Sequence, residues 1–300
     1  MCEYRAIEGA AATCTEVAAR CATGGASLGS NGDSLGRGIT ALLVLFGAQL
    51  LAGGYLSTFP GEVNSGVSSG TAAARLIRHF YLALAIFIAL IVAVAFAKKA
   101  VSDLAHPFSP LPWVLHFHVA LSGTWILLFV AQATLIDRNR LAWHRKLGAF
   151  GAVIGALLPI AGIATAIATA RYHIAQGAPV RPAGIILPIS DMLAFAIIFG
   201  LAIWLRARPE YHRRLMLMAA CVLCGAAFAA LPGWTAPANI KYSADLLILA
   251  GAARDWVAMR RIHRVFVFGL AFLIAWQLTA RWIYVSAEPT WVAIANHLVQ

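Results

Sequence analysis

The feature that most limits this chain is a recurring run of about twenty apolar, charge-poor residues, the length a helix needs to cross the hydrocarbon core of a bilayer. Such runs fall at residues 39–58, 77–97, 112–135, 147–170, 184–205, 214–231 and 265–285. Inside lipid every backbone N–H and C=O must be paired within the protein, and a single segment does that only as a helix. The expected fold is therefore all-α, a polytopic transmembrane helix bundle of seven spans, or six if one run does not cross. Composition agrees: 61% of the side chains are hydrophobic and 12% charged, against about 45–50% and about 25% in soluble domains. A soluble enzyme is excluded.

Helix-breaking and charged residues punctuate the runs. Pro110-Leu111-Pro112 opens one, and Asp137, Arg138 and Arg140 close it. Pro179 and Pro182 precede the fifth, and Arg206, Arg208 and Pro209 follow it. Residues 1–38, rich in Ala, Gly, Ser and Thr, read as a disordered polar tail without the apolar core of a signal peptide, so insertion would begin with the first span. After Pro232-Gly233, residues 232–263 read as an extramembrane segment holding a charged amphipathic piece, 245–259, at the interface. Residues 286–300 are left as a C-terminal tail.

The net charge is +11, but the cations sit at the ends of apolar runs rather than on one face, which suits lipid headgroups and not nucleic acid. The expected partners are the bilayer and other membrane proteins, or copies of this chain. The connections with Arg138, Arg140, Arg145 and Lys146, and with Arg206, Arg208, Arg213 and Arg214, are expected in the cytoplasm. Seven spans then place the C-terminus inside, although the basic 232–264 segment argues the other way. A weak repeat of helix pairs is visible: Trp143-His144-Arg145-Lys146-Leu147 and Tyr211-His212-Arg213-Arg214-Leu215 each open an apolar run, with Ile262-His263-Arg264 as a looser echo. Cys221-x-x-Cys224 falls within an apolar helix of small residues and reads as packing before redox chemistry.

Intramembrane polar residues are costly and mark functional interiors. Under the topology above, His116, His118, His173 and His263 lie near the outer face, and His79, His144 and His212 near the inner one. A haem b between helices needs two imidazoles at one depth on facing helices. His118 with His263 can supply an outer pair; His144 with His212, or either with His79, an inner one. His116-x-His118 can hold a metal only if the helix start is irregular, since in a helix the two point apart. Read the other way, His144 and His212, each followed by two cations, are interfacial residues bonded to carbonyls or lipid phosphates.

Asp191 is the acid inside a span, and it can orient a ligating histidine, relay protons or bond a neighbouring helix. His118, Trp125 and Gln132 recur every seven residues and so form one stripe facing a common neighbour. Gly148, Gly151, Gly155 and Gly162 give the next span the small-residue spacing that lets helices approach closely.

The runs from His116 to Gly148 and from Asp191 to Ala219, with H-R-K-L-G, D-M-x-x-F and H-R-R-L-M, resemble a family of uncharacterised bacterial integral membrane proteins over roughly residues 80 to 235. The resemblance implies a multi-pass protein of the bacterial inner membrane and brings no activity with it. Likeness to the helical b-type cytochromes is looser, because the position fourteen after His118, where the two-haem helix carries its second histidine, is Gln132. Two functions stay open: a redox or cofactor-assembly protein binding haem b or a metal through histidines at helix ends, and a non-catalytic protein, either a small proton-coupled permease or a subunit of a larger membrane complex.

Overall fold

The computed structural model describes residues 72–105, 111–231 and 237–300. The expected 1–38 tail and the 39–58 span lie outside the described residues. Among those described there are eight α-helices and no strand: α1 (Ala72–Ala105), α2 (Trp113–Asp137), α3 (Leu141–Ala175), α4 (Ile186–Trp204), α5 (Pro209–Ala230), α6 (Pro237–Met259), α7 (Arg264–Ser286) and α8 (Pro289–Val299). A short 3₁₀ turn, Pro182–Ile185, leads into α4. Six of these helices, α1 to α5 and α7, are long and apolar enough to cross a membrane, and they coincide with the six later runs read from the sequence. The chain is a multi-pass membrane protein.

The helices run alternately up and down, and pairings at their ends fix which ends meet. His79 near the start of α1 bonds Asp137 at the end of α2. Arg214 near the start of α5, held there by Glu210, donates to Asp255 and Met259 at the end of α6. The Tyr211 ring lies edge-on to His263, before α7, at 4.9 Å. One end of the bundle thus gathers the cations of the 138–146, 206–214 and 254–264 segments.

Within the expected 232–263 extramembrane segment the described residues form α6, 23 residues or about 34 Å, which packs against α5 and α7 and runs back to the basic end. Ser243, Ala244, Leu247, Ile248 and Ala252 are buried in the fold. A Cβ on Gly251 would stand 2.8 Å from the Phe266 ring and 2.9 Å from Leu217, so glycine lets α6 close onto α5 and α7. The extra traverse brings the 254–264 cations to the same end as the other basic loops and removes the conflict in the charge count. It also moves the C-terminus to the opposite end.

There the residues after 285 form α8 rather than a plain tail. Glu288 caps it, accepting from the amides of Thr290 (3.2 Å) and Trp291 (2.6 Å), and these bonds hold its carboxyl below the ordinary range. Trp291 Nε1 donates to the Ala183 carbonyl, and Arg171 Nε to that of Leu298. These contacts dock α8 on the far ends of α3 and α4.

The centre of the bundle is α5, whose apolar window is 67% buried, against 17% for α2 and for α7. Its composition explains the position: Ala219, Ala220, Cys221, Cys224, Gly225 and Ala227 keep it thin enough to be packed on several sides. Both thiols are buried, and Cys224 Sγ bonds the Ala220 carbonyl within the same helix, which fits packing.

Candidate functional site

Polar side chains gather at three places in the bundle. The first is the face between α2 and α3. The seven-residue stripe of α2 meets a seven-residue stripe of α3 in antiparallel register. A Cβ at Gly162 would lie 3.4 Å from His118 Cε1, one at Gly155 2.8 Å from Trp125 Cζ3, and one at Gly148 3.4 Å from Gln132 Nε2. A step of seven drifts only about 20° around a helix, so each long side chain finds a glycine opposite. Gly151, between them, meets nothing within 4 Å. At Gly155 no larger residue fits, because its Cβ would stand 2.3 Å from Phe199 Cζ.

Each station of this seam carries a buried polar atom without a protein partner: His118 Nδ1, Trp125 Nε1 and Gln132 Oε1, with His144 Nδ1 and Thr169 Oγ1 as well. Leaving one such atom unpaired costs about 1–3 kcal/mol. Trp125 is 3% exposed and packs edge-on to Phe195 (5.5 Å) and Phe199 (5.2 Å), which stack on each other. His118 Nε2 lies 3.5 Å from Ser122 Oγ. His116 is exposed.

The second place lies among α4, α5, α6 and α7. Asp191 of α4 and Asp245 of α6 line one small cavity together with Gly225, Trp276 and Gln277. Gln277 Nε2 donates to Asp245 Oδ1 at 3.2 Å, and Trp276 Nε1 donates to the Ser190 carbonyl at 2.9 Å. A Cβ on Gly225 would stand 3.9 Å from Asp191 Oδ2, so the carboxyl rests against the thinnest point of the central helix. The sequence reading named Asp191 but not Asp245, which it had put outside the membrane. The signal was present: with α6 inside the bundle, the apolar period of 244–252 turns Asp245 inward.

The third place is the basic end. Arg214 and Asp255, both with fully buried side chains, pair through Nε and Oδ2 at 2.6 Å. Arg214 also donates from Nη1 to Glu210 Oε2 and to the Glu210 carbonyl, each at 2.6 Å, and Arg254 reaches Asp255 Oδ1 at 3.2 Å. The Arg213 and Arg254 guanidinium groups lie 5.7 and 5.5 Å from the Tyr81 ring centroid. Sequence reasoning counted Arg214 as a loop cation; its spacing of four from Glu210 on a helix was the usable clue.

The histidines sort differently from the expectation. His118 and His263 are not a pair: His118 lies on the half of α2 towards the far end, and His263 sits at the basic end because α6 adds a traverse. His144 and His212 do meet, edge to face, with ring centroids 6.3 Å apart. His212 Nδ1 donates to the Ala202 carbonyl at 2.8 Å, which leaves Nε2 as its acceptor in a neutral ring. His79 joins neither; its Nδ1 pairs with Asp137 at 2.5 Å. Among the described residues, no group of three or more His, Cys, Asp or Glu is placed to hold a metal ion.

His263 caps α7: its Nδ1 accepts from the Val265 amide at 3.2 Å, which requires an unprotonated nitrogen. Burial, helped by the nearby Arg214 charge, pulls its pKa below the usual imidazole range. A lowered folded value means that the contribution is full above about pH 6.5 and lost as pH falls through the folded pKa. The thermal unfolding midpoint in detergent is expected to drop between about pH 7 and pH 5, and His263→Asn, which keeps a capping oxygen, to flatten the drop. An identical slope in the variant would remove His263 from the pH response.

Comparison with protein-family models, with curated proteins and with solved structures finds no match. What this chain does has to be read from its own residues.

Proposed function

We propose that this chain is a small proton-coupled permease, and that Asp191 with Asp245 is its proton-exchange site. The observation that carries the reading is the convergence of two carboxylates from different helices on one cavity inside the bundle, beside Gln277 and Trp276. Ionisable residues at membrane depth are costly and mark ion or proton pathways. Carboxylates exchange protons readily, and a mobile amide such as Gln277 can follow either protonation state by donating or accepting. Four helices meet there, so a change in the hydrogen bonding of Asp191 or Asp245 bears directly on how α4, α5, α6 and α7 pack. The resemblance to bacterial integral membrane proteins fits a site in the bacterial inner membrane, with lipid and further membrane subunits or copies of the chain as partners.

Proteoliposomes with an internal pH dye test this: an imposed pH gradient is expected to drive proton entry faster than in empty vesicles. Flux at the empty-vesicle rate, with or without candidate solutes outside, would contradict it.

A second reading is favoured by one observation, the meeting of His144 with His212. A ligating imidazole commonly donates its other nitrogen to a carbonyl, as His212 does to Ala202, and two imidazoles at one depth suit haem b iron. On this reading the chain serves redox chemistry or cofactor assembly at the basic end. An optical spectrum of the purified protein, oxidised and reduced, decides it: a b-type signal lost in His212→Ala supports the pair, and a colourless protein made with haem supplied removes it.

A further inference from the structure

The proton site beside α5 makes no use of the seam between α2 and α3, on the other side of α4. That seam carries a line of buried polar atoms. From His118 to Gln132 it covers 14 residues, about 21 Å of rise along α2, set against a hydrocarbon core of about 30 Å. His144, at the start of α3, continues it beyond Gln132 to His212 and the basic end. Thr169 of α3 continues it past His118 towards the far end.

Three features separate it from ordinary packing. The polar atoms at its stations are buried from solvent and unpartnered, whereas buried polar groups in folded proteins find protein or water. The helix opposite offers glycine at each station, so the α2 side chains lie directly against the α3 backbone. The middle station differs from the ends in being aromatic: Trp125 is wedged between the Phe195 and Phe199 rings and the Gly155 backbone, while Met192 stands beside His118 at Gly162 and Gln132 faces Gly148.

We propose that the α2–α3 seam is a second polar passage, hydrated on both sides of Trp125 and closed at its middle by that ring. On the far side, water bridges Thr169, His118 and Ser122; on the basic side, it bridges Gln132 and the His144–His212 pair. Trp125 Nε1 donates to a water at the end of one of these files, and its ring with Phe195 and Phe199 stops the files from joining. A closed seam is what a coupled carrier needs, since a continuous file of water would short-circuit a proton gradient; in that respect the passage rests on the proton-handling reading. The hydration itself does not.

Radiolytic hydroxyl-radical labelling of the full chain in detergent tests it, because a buried side chain is oxidised when a bound water lies against it. After correction for intrinsic side-chain reactivity, Trp125, 3% exposed, is expected to label several-fold faster than Phe195, which is fully buried and carries no polar atom of its own. Trp125 as inert as Phe195 would overturn the passage. The same preparation in vesicles separates the two claims. A labelled Trp125 in a protein with no proton flux leaves the passage standing and sinks the permease. An unlabelled Trp125 in a protein that moves protons does the reverse. Trp125→Ala, if it inserts, is expected to raise passive proton leak several-fold, while Trp125→Phe, which keeps an aromatic plug, is expected to leave the vesicles tight. Equal leak in the two would also overturn the gate.

Discussion

Asp255→Leu is expected to destabilise the bundle by about 3–5 kcal/mol, the usual cost of removing one partner of a buried ion pair. The carboxylate has no exposed surface and holds Arg214 Nε at 2.6 Å. Without it the fully buried guanidinium keeps one charged partner among the described residues, Glu210, whose side chain is 54% exposed. The loss would not be confined to one contact, because Asp255 also takes Arg254 and the pair joins α6 to the central helix. The measurement is the unfolding midpoint of the detergent-purified protein by heat or denaturing detergent. Replacing both partners, Arg214→Leu with Asp255→Leu, removes the stranded charge and is expected to recover much of the loss. A single variant as stable as the parent would show that this network does not hold α6 in place.

The helices themselves were legible because their signal is simple: length and apolarity suffice for a span, and six runs read that way became α1 to α5 and α7. What the runs could not reveal was α6. It carries Lys241, Asp245, Arg254 and Asp255, and hydropathy has no means of knowing that Asp245 bonds Gln277 and Asp255 bonds Arg214. A segment whose charges are neutralised by neighbours reads as a surface piece until the neighbours are placed. That one omission displaced His263 by the thickness of the bundle and dissolved the outer histidine pair.

The repeat misled and informed in equal measure. It aligned Lys146 with Arg214, yet Lys146 is exposed over the Trp143 ring and Arg214 is fully buried, because α3 lies at the edge of the bundle and α5 at its centre. It also aligned His144 with His212, and those two rings meet. The two stripes on α2 and α3 were each visible as periods of seven, but their register depends on the length of the connection between the helices and emerged only from their packing.

Asp191→Asn is expected to reduce proton movement to the rate of empty vesicles. An amide keeps the shape and much of the hydrogen bonding of the carboxyl but cannot bind and release a proton. The cavity it lines is small, so Asp191→Glu, which retains the acid with one more methylene, is expected to keep partial flux at the cost of tighter packing against Gly225. This pair separates proton exchange from structural support, since a merely structural carboxyl would tolerate asparagine better than glutamate.

Proton entry into vesicles holding the wild-type chain, Asp191→Asn or Asp191→Glu, at matched protein content and under one imposed pH gradient, is the measurement that bears most directly on this account. The predicted order is wild type fastest, glutamate intermediate, and asparagine equal to empty vesicles. Asparagine at the wild-type rate would contradict the assignment of Asp191 as the proton site.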